Sequence, residues 1–263
     1  GPSSERGYAF FQRTTISINA TDKTDSGMTW AFKLDLNADA DGGPNSANGL
    51  KDGTARDAAD KVTLDLSDAW GSVSVGADYT VFRSMAFGSK DATKSAGTGG
   101  VDGAWSRWYN NKSNSNMRFE STTTVRDSTT STRVNYVTPR VMGFQAGVSY
   151  APDRNSIGRY RSPEANLVSS GVNSNSDLEQ NWWAGAVNYV NKFGDFDVGL
   201  SGAFATANQS NDAMMNTLSH HYGFVVGYGD WKVAGRYSLK PHSLDIKSSD
   251  TNHEYKSYDV GVG

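Results

Sequence analysis

Apolar and polar side chains alternate with a period of two along almost the whole of this chain. Val62, Leu64 and Leu66 alternate with Lys61, Thr63, Asp65 and Ser67. Beyond a short turn, Val73, Val75, Ala77, Tyr79 and Val81 alternate with Ser72, Ser74, Gly76, Asp78 and Thr80. Such a period puts every apolar side chain of a strand on one face and every polar one on the other. When each hairpin repeats the pattern, with no helix between, the expected architecture is a closed β-barrel. Its apolar face meets lipid and its polar face a wet lumen. Passage, rather than catalysis, is what that architecture serves.

Composition narrows the reading where it bears on a core. The hydrophobic fraction is 37% with 28 glycines, lean for a soluble core of this size. It suits a barrel, in which only the outward half of each strand must be apolar. No stretch approaches the roughly 20 consecutive apolar residues of a membrane-spanning helix. The absence of cysteine fits a bacterial surface protein exposed to periplasmic oxidation. A net charge of −3 gives no footprint for nucleic acid. Gly1-Pro2-Ser3-Ser4-Glu5-Arg6 has no apolar h-region, as in a mature chain or a fragment, and the barrel reading implies a secretory signal already removed.

Eleven strands are expected, at 8–20, 27–38, 60–68, 72–83, 131–139, 143–152, 181–191, 195–207, 220–228, 231–240 and 253–263. Outward sets include Met28, Trp30, Phe32, Leu34 and Leu36; Phe144, Ala146, Val148 and Tyr150; Phe196, Val198, Leu200 and Phe204; and Trp231, Val233, Tyr237 and Leu239. Tight links fall at Asp22–Gly27, Asp68–Gly71, Pro139–Gly143, Asn191–Gly194 and Gly229–Asp230, rich in the Gly, Asp and Asn of close reversals. Long polar stretches at 39–59, 84–130, 153–180, 208–219 and 241–252 alternate with them. A barrel with one end in the periplasm and the other outside sorts its loops in this way. Tyr8, Phe10, Trp30, Trp70, Trp182, Trp183, Tyr189, Phe193, Tyr222, Tyr228 and Trp231 lie near strand ends and are candidate girdle residues at the bilayer interface. Ordinary sandwich-core aromatics are the competing reading.

Four stretches carry a family likeness. They are Thr24-Asp25-Ser26-Gly27-Met28-Thr29-Trp30, Leu66-Ser67-Asp68-Ala69-Trp70-Gly71-Ser72-Val73-Ser74-Val75-Gly76, Tyr136-Val137-Thr138-Pro139, and Gly143-Phe144-Gln145-Ala146-Gly147-Val148-Ser149-Tyr150-Ala151-Pro152. In this order and spacing the chain resembles the general porins of Gram-negative outer membranes. The resemblance implies an all-β, sixteen-stranded transmembrane antiparallel barrel, homotrimeric and set in outer-membrane lipid and lipopolysaccharide. Small hydrophilic solutes would diffuse through it. Residues 1–263 form a single porin domain in this reading, and 84–130 replace the loop that folds inward and narrows the pore. The strands correspond to the family's second to twelfth, so the first and about four last ones are expected outside these residues.

A charge ring at a constriction sets ion preference, because dielectric walls focus the field there. Arg13, Lys33 and Lys61 fall at inward positions on three neighbouring strands. The resemblance places such a basic cluster opposite acids of the inward loop, here Asp91, Asp102 and Glu120. The loop also offers Arg107 with Trp105, Trp108 and Tyr109, which suit packing on the barrel wall or stacking on a sugar. Arg133, Lys232 and Arg236 add inward positive charge, balanced by Asp35, Asp65, Asp78, Asp195 and Asp197. With both signs present, weak ion preference is the expectation.

Catalytic chemistry finds no support in the motifs. His220 and His221 are adjacent on a strand and point to opposite faces, and no H-E-x-x-H occurs, so no metal is expected. Gly97-Thr98-Gly99-Gly100 lacks the Lys-Ser/Thr of a phosphate loop, and no G-x-S-x-G elbow is present. Aspartates in Asn37–Asp41 lack EF-hand spacing. No enzyme, cofactor or nucleic-acid partner is expected. Two alternatives remain: a surface barrel whose long loops contact a partner layer, polysaccharide or phage, and a secreted soluble β-sandwich adhesin.

Overall fold

The structure, a computed structural model, describes residues 15–37, 59–92, 131–153, 179–209, 215–241 and 254–263. Eleven strands lie within them: β1 (Thr15–Lys23), β2 (Thr29–Asn37), β3 (Ala59–Asp68), β4 (Gly71–Asp78), β5 (Ser131–Val137), β6 (Phe144–Asp153), β7 (Glu179–Phe193), β8 (Phe196–Gln209), β9 (Thr217–Tyr228), β10 (Trp231–Lys240) and β11 (Tyr255–Val262). They form one sheet in sequence order from β1 to β11, and each neighbouring pair is antiparallel. Each strand therefore pairs with its chain neighbour, as a barrel meander requires. The first described residues of β1 fall inside the expected strand 8–20, and Tyr8 and Phe10 lie outside the described residues.

Tight reversals close one end of the sheet. Gly194-Asp195 joins the pair Phe193↔Phe196, and Gly229-Asp230 joins Tyr228↔Trp231. At Met142-Gly143, both residues adopt positive φ, 51° and 89°. Two consecutive positive φ values are what a type I′ hairpin turn demands, and its twist matches that of the flanking strands.

The burial pattern is inside-out relative to a soluble sheet. On one face Leu64, Val75, Val148, Val187 and Leu200 are each between 42% and 49% exposed. On the other, Thr63, Ser149, Ser219 and Ser238 are at most 4% exposed. Fully burying one aliphatic side chain stabilises by roughly 1.5–3 kcal/mol, so a broad apolar face is costly in water and requires an apolar surround. Aromatic residues line this outer face in two rows. Near the tight turns, Trp70 stacks with Tyr136, while Phe144 with Tyr189 and Phe196 with Tyr228 meet tilted, the last pair at 4.8 Å. Further along, Tyr150 and Trp183 meet at 4.6 Å.

Two expectations are corrected. The strand expected to run to residue 83 ends at Asp78, and Val81–Ser84 form one turn of α-helix, α1. Val81 is 1% exposed instead of facing outward. Trp182 is no girdle residue: it is 4% exposed on the inner face, opposite Ala151. Asn181 before it has φ 52°, and the β7–β8 register shifts between Gln180 and Trp183. Trp183 keeps the outward position.

Candidate functional site: a strap across the inner face

After β4 the chain turns onto the inner face of the sheet and stays there. The strap, 79–91, has no strand to pair with, so its backbone polar groups need other partners. Side chains of successive strands supply them. Asn135 Nδ2 of β5 donates to Tyr79 O at 3.0 Å, and Val81 N–H donates to Ser149 Oγ of β6 at 2.8 Å. Asn188 Nδ2 of β7 donates to Met85 O at 3.3 Å, and Phe87 N–H donates to Ser201 Oγ of β8 at 2.9 Å. His221 Nε2 of β9 lies 3.1 Å from Phe87 O, which makes that nitrogen the donor. Ser89 N–H donates to Asp259 Oδ1 of β11 at 2.9 Å. β10 contributes Arg236, whose side chain runs under Gly88.

Four of these wall positions, together with Gly223, form one row across the sheet. Asn188 pairs with Ser201, Ser201 with Gly223, Gly223 with Arg236, and Arg236 with Asp259. Met85 to Ser89 follow this row at right angles to the strands. The row lies five positions from the turn-closing pairs Phe193↔Phe196 and Tyr228↔Trp231, about 17 Å along the strands. β7 has 15 residues and β8 has 14, so the strap crosses a little over a third of the way along them from the tight-turn end.

The strap also fixes the curvature. On a flat sheet Ser149 and Asp259 would stand about 27 Å apart, from strand spacing and the register offset between Ala184 and Asn188. Val81 N to Ser89 N, helical in its first half, reaches at most about 20 Å. The strands therefore curl toward the strap, which crosses the concave face as a chord.

Small wall residues make room for it. A Cβ on Gly147 would lie 2.6 Å from Met85 Sδ, and one on Gly261 2.8 Å from Ser89 O. A Cβ on Gly223 would overlap Phe87 O. Val81, Phe82 and Met85 pack into a cluster with Ala151, Ala184, Ala186, Ala203, Ala205 and Ala207. Phe82 also meets the His221 ring edge-on at 5.6 Å.

The inner face of β2–β4 is built differently. Lys33 pairs with Asp65 at 2.7 Å, and Lys61 with Asp78 at 3.1 Å, each bridging to the next strand. Ser17 Oγ donates to Asp35 at 2.6 Å. Tyr79 takes two cations against its ring, Lys61 Nζ at 4.0 Å and Arg83 Cζ at 3.7 Å from the centroid. The sequence-derived basic positions thus separate into two groups. Lys33 and Lys61 line the wall within ion pairs. Arg133 is 4% exposed and folds back onto Ser131, donating to its O and Oγ. Arg236, with only 8% of its side chain exposed, pairs with Asp259 beneath the strap. Lys232 is half-buried near the tight-turn end. Asp195 and Asp197 are exposed at or next to a tight turn.

Asp91 accepts from Gly88 N–H at 2.8 Å and closes the 3-10 turn Ser89–Asp91. Arg13, Asp102, Trp105, Arg107, Trp108, Tyr109 and Glu120 lie outside the described residues. Sequence reasoning missed Asn135, Ser149, Asn188, Ser201, Arg83 and Asp259, and considered His221 only as a metal ligand. The available signal was small polar residues recurring at inward positions on successive strands.

Comparison with known proteins bears on this arrangement. A family model described as Gram-negative porin matches residues 2–263. An anion-selective porin from Comamonas acidovorans has a similar structure, with TM-score 0.54 and 16% identity, over 95% of this chain and 63% of that one. OmpT, an outer membrane protein of Vibrio cholerae, is similar with TM-score 0.53 and 14% identity, over 95% of this chain and 62% of that one. The chain thus spans less than two thirds of the length of these neighbours. A search of curated protein sequences gave no match.

Proposed function

Because this chain belongs to the Gram-negative porin family and so to the bacterial outer membrane, we propose that it forms a water-filled channel for passive diffusion of small hydrophilic solutes and ions. The observation that carries the proposal is the strap. It crosses a polar inner face, and in this reading it narrows the space there beside the charged wall of β2–β4. Residues 84–130 act as the constricting loop in this reading, starting with the strap. Lys33 and Lys61 with Asp35, Asp65 and Asp78 line the passage. Asp91 belongs to the strap's far end, and Arg13, Asp102, Glu120, Trp105, Trp108 and Tyr109 are assigned to the same constriction. No catalytic role is assigned to any of them.

Paired charges argue for weak ion preference. Lys33 and Lys61 each have a carboxylate within salt-bridge distance, so much of their field is cancelled locally. The Comamonas neighbour is described as anion-selective, and this chain departs from it in that respect. Outer-membrane lipid and lipopolysaccharide cover the apolar face, and three copies associate through the largely aliphatic outer face of β1–β4. There Ile16, Ile18, Leu64 and Val75 are 46–51% exposed.

Planar-bilayer recording of the protein extracted from outer membranes tests the proposal. The expected record shows discrete ohmic steps that close in threes under voltage, with a shallow reversal potential in a salt gradient. Stable insertion without conductance would overturn the channel reading and favour a surface-binding barrel. A steep reversal potential would overturn weak selectivity alone.

A further inference from the structure

The two ends of the strap are held by different chemistry. From Tyr79 to Phe87 it is pegged by uncharged groups of Asn135, Ser149, Asn188 and Ser201, together with His221. At Gly88 and Ser89 it meets an ion pair. Asp259 uses both carboxylate oxygens: Oδ1 accepts from Ser89 N–H, and Oδ2 accepts from Arg236 Nη2. Arg236 stands directly across from Asp259 in the β10–β11 ladder. Its aliphatic stem and guanidinium form the floor under Gly88, where a Cβ would meet Arg236 Cβ at 3.5 Å and Cζ at 3.6 Å. Gly261 leaves the space that Ser89 fills.

We infer that Asp259 is the latch that positions the strap, and hence the constriction, with Arg236 holding its carboxylate in place. This rests on the channel reading for its consequence on flow, but the latch itself is a statement about where Ser89 sits. A charge-assisted hydrogen bond is stronger than the neutral pegs. It also secures the end from which the chain continues into residue 93 and beyond. Without the Asp259 carboxylate, Ser89 N–H loses its acceptor and Arg236 is left beneath Gly88 without its counter-ion. Both consequences lift the same end of the strap.

The chain has no cysteine, so an introduced pair is free of competing thiols. A Cβ on Gly261 would lie 3.0 Å from Ser89 Cβ and 2.8 Å from Ser89 O, so the strap end gives slightly to reach the roughly 3.5–4.5 Å of a disulfide, and the cysteine pair itself is the reference for every further substitution. Ser89→Cys with Gly261→Cys should cross-link rapidly under mild oxidant in outer-membrane vesicles. Adding Asp259→Ala should slow cross-linking about tenfold, the factor a lost charge-assisted hydrogen bond carries. It should also raise single-channel conductance and open-channel noise when the pair is reduced. Arg236→Met with Asp259→Ala removes the buried cation as well and guards against misfolding; it too should cross-link slowly.

The decisive variant exchanges the charges, Arg236→Asp with Asp259→Arg. It restores a cross-strand ion pair but sets a donor-only guanidinium against Ser89 N–H. Slow cross-linking in the exchanged protein supports the latch. Parental cross-linking there, or with Asp259→Ala, overturns it and leaves the pair a sheet contact only. Cross-linking reads the latch whether or not the parent conducts, so failure of the channel reading is seen separately in the bilayer record.

Discussion

The inner face has two walls that obey one parity rule and differ in every other respect. Along β5–β11 most inward positions near the strap are Gly, Ala, Ser and Asn, joined toward its far end by His221, Arg236 and Asp259, and they are closely covered: Ala205 and Ser219 are 0% exposed, and Ala151 and Ser149 2%. Along β2–β4 they include Lys33, Lys61, Asp65 and Asp78, with the Lys33 side chain 56% exposed. The small residues let backbone approach backbone, so that polar pegs reach the strap. The charged residues of β2–β4 leave their part of the face less covered. Alternation alone says which residues face inward. Their size says which wall is covered and which is open.

Filling the covered wall is the harshest way to break this comparison. Gly223→Leu puts a side chain where a Cβ already overlaps Phe87 O, so the strap must move. Overpacking of this kind costs about 1–3 kcal/mol. The thermal midpoint of the detergent-solubilised protein should fall, and the conductance should change. Ser74→Leu, which places the same side chain on the half-buried inner face of β4, should stay within about 0.5 kcal/mol. Equal losses from the two substitutions would mean that the walls do not differ as described.

Removing a peg is gentler. Ser149 is 2% exposed, and its Oγ accepts from Val81 N–H. Ser149→Ala leaves that buried donor without an acceptor, at a cost of about 1–3 kcal/mol. Hydrogen exchange at Val81 should accelerate while exchange in the β7–β8 ladder stays slow. Unchanged protection at Val81 would show that the peg does not hold the strap.

The sheet was legible because period-two patterning and turn residues are local signals, and the tight turns at Gly194 and Gly229 fall within a residue or two of their expected places. The strap was not. Val81 continues the alternation of Val73, Val75 and Ala77, so nothing local ends the strand at Asp78. What draws the chain inward is a set of side chains from seven strands, the last of them Asp259, 170 residues from the Ser89 it holds. Trp182 misled for another reason: it was placed by nearness to a strand end, whereas alternation with Trp183 puts it inward beside Ala184 and Ala186. Charges could be placed on a face from sequence. That Lys33 meets Asp65 and Lys61 meets Asp78 depends on strand register, which the spacing of one strand does not reveal.

The open wall should respond least in stability and most in selectivity. Both ion pairs are partly exposed, and surface pairs contribute about 0–1 kcal/mol, so Lys33→Gln with Lys61→Gln should lower the thermal midpoint only slightly. The same double substitution frees Asp65 and Asp78, adding two uncompensated carboxylates to the proposed passage, a wet space whose low-dielectric walls focus the field. Cations should then be favoured, with a reversal potential shifted in that direction and a shift that shrinks as salt rises. Asp65→Asn with Asp78→Asn should shift it the opposite way by a similar amount. If neither pair moves the reversal potential, the ions do not pass along this wall. If both lower the midpoint as far as Gly223→Leu does, the charged wall is a packed one and the contrast between the two walls fails.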